Sequence, residues 1–149
     1  MTDSVVDNQL KYNNYKEQFK RLDKAINNAF YLEAMFIAYA IIEDRAEAIL
    51  SYEENSIHSD KFVSIERKLN KIKKIAERKK SLPERYFSDD LIDEILEWKE
   101  ERNQLMHALM KQSLTTEMLR DIALKGEELA RKLSNKATNY RRAVERRSK

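Results

Sequence analysis

A chain of 149 residues that holds one glycine, Gly126, and one proline, Pro83, has almost nothing with which to build tight turns, bulges or the corners of a sheet. Hydrophobic residues make up 42%, enough for a proper core, so the apolar surface must be buried by helices joined through short loops. The expected architecture is all-α: one domain over residues 1–149, folded as a four- to five-helix bundle. The absence of cysteine rules out disulfides and thiolate chemistry. The N-terminal stretch MTDSVVDNQLKYNNYKEQ has no basic start followed by an apolar run, and no segment approaches a membrane span, so a cytoplasmic protein is expected.

Apolar residues at three- and four-residue steps locate the helices. Tyr12, Tyr15, Phe19, Leu22, Ile26 and Phe30 predict a first one. From Leu32 to Leu50 the chain is apolar nearly all round, as expected of a helix that is central or pressed against another subunit, with a kink near Asn27 and Asn28 between the two. Ser59 or Asp60 is placed to cap a third helix with the stripe Phe62, Ile65, Leu69, Ile72 and Ala76. Pro83 should stop it and open a loop, after which Ser88 or Asp89 caps a fourth. Thr115 or Thr116 caps a long fifth helix whose stripe includes Gly126, a position that admits close approach of another helix.

Two charged residues interrupt these stripes. On the fourth helix Leu91, Ile95, Trp98, Leu105, Met106 and Leu109 share one arc, with Arg102 near its centre. On the second, Glu43 sits in the middle of the arc formed by Leu32, Phe36, Tyr39, Ala46 and Leu50. A guanidinium stays charged at any physiological pH, so a partly buried one needs a carboxylate, a dimer mate or an anionic ligand. Glu43 is the obvious partner for Arg102. The pair is either structural or a device that fixes the Arg102 rotamer and leaves part of its fork free for a phosphate.

Arg102 also begins the string Arg102-Asn103-Gln104-Leu105-Met106-His107. Asn103 and His107 are four apart and share a helix face, so the amide can orient the imidazole. Arg102 and His107 are five apart, about 140° round the axis, and converge if the long Arg side chain wraps, if the helix is distorted or if two copies meet at a two-fold axis. Imidazole titrates near neutrality and moves protons, while the guanidinium steadies charge building on a phosphate. On RNA the 2′-hydroxyl supplies the nucleophile, so neither metal nor other cofactor is required, and the sequence shows no dense cluster of metal-ligating side chains.

These residues resemble the hallmark of the HEPN superfamily, the higher eukaryotes and prokaryotes nucleotide-binding domains: Arg, a polar residue, a short spacer and His, within Glu100-Glu101-Arg102-Asn103-Gln104-Leu105-Met106-His107-Ala108-Leu109. The resemblance implies a helical bundle that dimerises through the motif-bearing helix so that two motifs share a cleft. It implies a metal-independent endoribonuclease acting on single-stranded RNA, of the kind that serves as a toxin or an antiphage-defence effector, with RNA, a second copy and a protein antitoxin as partners. His107 would be the general acid or base, Arg102 the stabiliser of the phosphorane-like transition state, and Asn103 a positioning residue. The alternative is a catalytically inactive helical dimer of the same type that binds nucleotide, RNA or a protein.

The net charge of +3 is too small to argue for nucleic acid by itself. Its distribution is uneven, with a basic tail from about residue 141 to 149 and a basic third helix. In the ribonuclease reading Lys68, Lys71, Lys74 and Arg78 become an RNA track; in the plain reading they form a solvated helix face.

Overall fold

The computed structural model describes the backbone of residues 2–53 and 63–148, with side chains from Gln9 onward. Among these residues there are six helices and no strand: α1 (Thr2–Asn27), α2 (Tyr31–Leu50), α3 (Ile65–Ala76), α4 (Leu82–Phe87), α5 (Leu91–Ala108) and α6 (Thr116–Arg147). No helix among them is long and apolar enough to cross a membrane.

The expected kink between α1 and α2 is a full break. Phe30 N–H donates to the Ala25 carbonyl at 2.8 Å and Ala29 N–H to that of Ile26 at 3.1 Å, while Ala29 adopts φ 60°. This is a Schellman closure, with alanine in the left-handed position that glycine usually fills. The side chain of Asn28 donates to the Lys24 carbonyl at 2.7 Å and satisfies another acceptor of the last turn.

Three start signals fall elsewhere than the sequence places them. The cap of α3 is Ser64, whose hydroxyl accepts from Arg67 N–H at 3.3 Å; Ser59, Asp60 and Phe62 lie outside the described residues. The segment around Pro83 is not a loop but the short helix α4. Ser81 caps it by accepting from Glu84 N–H at 3.2 Å, Glu84 Oε1 accepts from Lys80 N–H at 3.2 Å, and Pro83 sits in the first turn, where its missing N–H costs nothing. α3 itself ends at Ala76 with Glu77 as its C-cap, so Pro83 starts a helix and does not stop the preceding one. The N-cap of α5 is Asp90, whose side chain makes no capping bond, rather than Ser88 or Asp89; Ser88 closes α4, and Asp89 Oδ1 accepts from Leu91 N–H at 3.3 Å just ahead of the helix. At the start of α6 the expected Thr115 cap is present, Oγ1 accepting from Met118 N–H at 3.2 Å.

α2 is the central helix, packed most extensively along α6 and also against α1 and α3. Its buried side chains Ala34, Met35, Ala38, Ile42, Ala46 and Ile49 form the spine of the core. α5 lies on α6, and Gly126 permits it: a Cβ built there would stand 2.5 Å from Trp98 Cζ2 and 3.3 Å from Ala38 Cβ. The Trp98 indole is held in that contact by donating to the Ile122 carbonyl at 2.8 Å. The close approach expected of Gly126 is thus three-sided, with α2, α5 and α6 meeting at one level of the bundle.

Candidate functional site

α5 turns the fully buried Ile95 and Trp98 and the buried Leu91 and Leu105 toward the core. Arg102 lies between Trp98 and Leu105 on that side and is half-buried. Its guanidinium carbon lies 4.3 Å from the centroid of the Tyr39 ring on α2, well inside cation–π range. Nη1 donates to Asn103 Oδ1 at 3.3 Å, and the buried Nε has no hydrogen-bond partner. Among the described residues no carboxylate comes within ion-pair distance of it. An aromatic face attracts a cation without neutralising it, and Arg102 sits there half-buried with one donor, Nε, unmet.

The expected Glu43–Arg102 pair does not form within the chain. Glu43 Oε1 instead lies 3.9 Å from Lys68 Nζ of α3, whose side chain is only 11% exposed. The reason is register. The stripe position of Glu43 aims it between α2 and α3, while Tyr39, one turn earlier, takes the place beneath Arg102. Buried Lys99, one turn before Arg102, reaches the other way and pairs with Glu66 Oε2 at 3.0 Å and Glu100 Oε2 at 3.8 Å. Burial pushes the Tyr39 phenol above its ordinary range and Glu43 adds to this, against the opposing influence of Arg102 and Lys99. Arg102, Lys99 and Glu43 therefore all act on one hydroxyl.

The motif itself is split. Asn103 spends its carbonyl oxygen on Arg102, so the expected Asn103–His107 contact is absent among the described hydrogen bonds. His107 lies in the last turn of α5 and is exposed, and among the described residues no hydrogen bond or ion pair draws it toward Arg102. Of the basic positions expected to form an RNA track, Lys68 is drawn inward by Glu43, and Arg78 Nη1 pairs with Glu53 Oε2 at 3.0 Å. Lys74 is exposed and Lys71 half-buried. Among the described residues no group of three or more His, Asp or Glu side chains is placed to hold a metal ion.

Sequence reasoning misses Tyr39 and Lys99. Tyr39 reads as ordinary stripe filling; the signal present is its position one helical turn before Glu43, which puts both on the face that meets the motif helix. Lys99 carries no signal, since a lysine beside Glu100 and Glu101 reads as solvated surface.

No family model, characterised protein or solved structure matches the chain. What the site can do follows from its own geometry.

Proposed function

We propose that the chain is a metal-independent endoribonuclease of the HEPN type, acting on single-stranded RNA as a toxin or antiphage effector and working as a homodimer. The observation that carries this reading is the state of Arg102: half-buried, seated on Tyr39, with an unmet Nε and, among the described residues, no carboxylate within ion-pair distance. A cation held this way is prepared for an anion that the described residues do not supply. In the proposed reaction the 2′-oxygen attacks phosphorus and the 5′-oxygen leaves. Arg102 steadies the charge on the pentacoordinate phosphorus, and His107 of a second copy transfers protons. The products are a 2′,3′-cyclic phosphate and a 5′-hydroxyl end. A second copy is part of this reading because Arg102 and His107, five residues apart, lie about 140° apart around α5. A stripe of exposed apolar side chains, Leu32, Phe36 and Ala40, runs along α2 beside Tyr39 and offers the surface for association.

The test is incubation of the purified protein with total RNA in EDTA, beside Arg102→Ala and His107→Ala. Cleavage that is lost in both variants, and that leaves DNA and 2′-O-methyl RNA intact, is the expected result. Cleavage that persists in the His107 variant or consumes DNA equally well overturns the reading. One observation favours the alternative of an inactive binding dimer: Asn103 orients Arg102 rather than His107. In that case RNA is retained by the protein, loses affinity in Arg102→Ala and is never cut.

A further inference from the structure

On the side of α2 away from Arg102, a cavity of about 260 Å³ opens between α1, the end of α2 and α6. Glu43 and Arg45 are two residues apart, about 200° round the helix, so one helix serves the Arg102 cluster with one face and this cavity with the other. The lining carries Lys11, Lys16, Arg45, Arg141 and Arg142, and no Asp or Glu among the described residues. These cations repel one another, a repulsion that Asp44 beside Arg45 and Glu145 beside Arg141 offset in part and that an entering anion relieves further.

One of the cations, Arg45, is built into place. The Arg45 guanidinium stacks 3.5 Å from the centroid of the Tyr15 ring, and its Nε donates to Ser134 Oγ at 3.3 Å. Among the described residues no carboxylate lies within ion-pair distance of it, because Asp44 beside it accepts the Tyr15 hydroxyl instead. Burial drives the Arg45 pKa down and the neighbouring Arg141 adds to this, opposed by Tyr15 and Asp44. Arg141, whose side chain is 42% exposed, forms an ion pair with Glu145 Oε1 at 3.8 Å, and its buried Nε has no hydrogen-bond partner. The hydroxyl-bearing residues Ser51, Thr138 and Tyr52 line the same space.

We infer that this cavity binds the phosphoryl group of a small phosphate ester, gripped by Arg45 and Arg141. A tetrahedral dianion offers three oxygens spread in space and up to two negative charges to two guanidinium forks, more than the two coplanar oxygens and single charge of a carboxylate. The volume exceeds that of a bare anion and lies just under the range of drug-sized pockets, which leaves room for a sugar-sized remainder among the hydroxyls.

The test is calorimetric titration of the full chain with ribose 5-phosphate, ribose and inorganic phosphate at constant ionic strength, with ³¹P line broadening as the second readout. Ribose 5-phosphate is expected to bind and ribose not to. Arg141→Gln should weaken binding about tenfold or more, Arg45→Lys should weaken it while keeping the charge, and Arg102→Met should leave it unchanged. Inorganic phosphate binding as tightly as the ester supports phosphoryl recognition and identifies the free anion as the source. Equal binding by the wild type and a folded Arg141→Gln variant, or loss of binding in Arg102→Met, overturns the assignment.

Discussion

Arg102 separates a stabilising residue from one retained for another purpose. A cation over a phenol ring contributes about 0.5–2 kcal/mol, whereas removing a guanidinium from water without full compensation costs several kcal/mol. The balance at this position is unfavourable or near zero for folding, because the only described contacts are the Tyr39 face and the oxygen of Asn103. Arg102→Met keeps most of the side-chain volume and discards the charge. It is expected to leave stability unchanged or raise it by about 1 kcal/mol in urea unfolding, while RNA cleavage or RNA affinity is lost. A loss of about 3 kcal/mol would instead make Arg102 a structural residue. The sequence exposes this residue by its misfit on an apolar stripe, but not its partner. Stripe position fixes which face a charge occupies and not the rotational register of the helix it meets, so Glu43 and Tyr39, one turn apart on α2, are indistinguishable as neighbours.

Between elements, two small residues make opposite demands, and the molecule meets only one of them well. Ala29 closes α1 at φ 60°, where a β-carbon costs about 1–2 kcal/mol, while glycine there loses about 0.5–1 kcal/mol of chain entropy on folding. Ala29→Gly should therefore raise stability by up to about 1 kcal/mol. Gly126→Ala improves helix propensity by about 1 kcal/mol but drives a methyl into the indole of Trp98, which is 1% exposed and tied to Ile122. The overlap cannot be relieved by a flexible side-chain end, so a net loss of about 2 kcal/mol is expected in thermal unfolding. Periodicity makes the long helices, the Thr115 cap and the role of Gly126 legible in the sequence. It misses α4, since six residues are too few to show a period and the proline within them reads equally as a stop or a first turn. It also renders the α1–α2 break as a kink, because alanine in a left-handed closure carries none of the glycine signal by which such closures are recognised.

For the molecule as a whole, the decisive matter is whether one chain is the working unit. α2 is buried along most of its length yet leaves Phe36 67% and Phe30 60% exposed, at the end of the helix that also presents Tyr39 to Arg102. Covering such side chains from water is worth roughly 25 cal/mol per Å², and a two-fold axis beside them would bring a second α5 near the first. Phe36→Lys is expected to convert a dimer into a folded monomer by light scattering at micromolar concentration. RNA cleavage should be lost although Arg102, Asn103 and His107 are intact. Mixing gives the sharper measurement. If each cleft takes Arg102 from one chain and His107 from the other, inactive Arg102→Ala and inactive His107→Ala chains should complement when unfolded and refolded together. Half of the random pairs would then be mixed, and each would carry one intact cleft of two, giving about a quarter of wild-type activity. Recovery at that level requires both residues to act across the axis. No recovery from pairs shown to be mixed would mean that the two residues must act within one chain, which the exposed, separate position of His107 on α5 opposes.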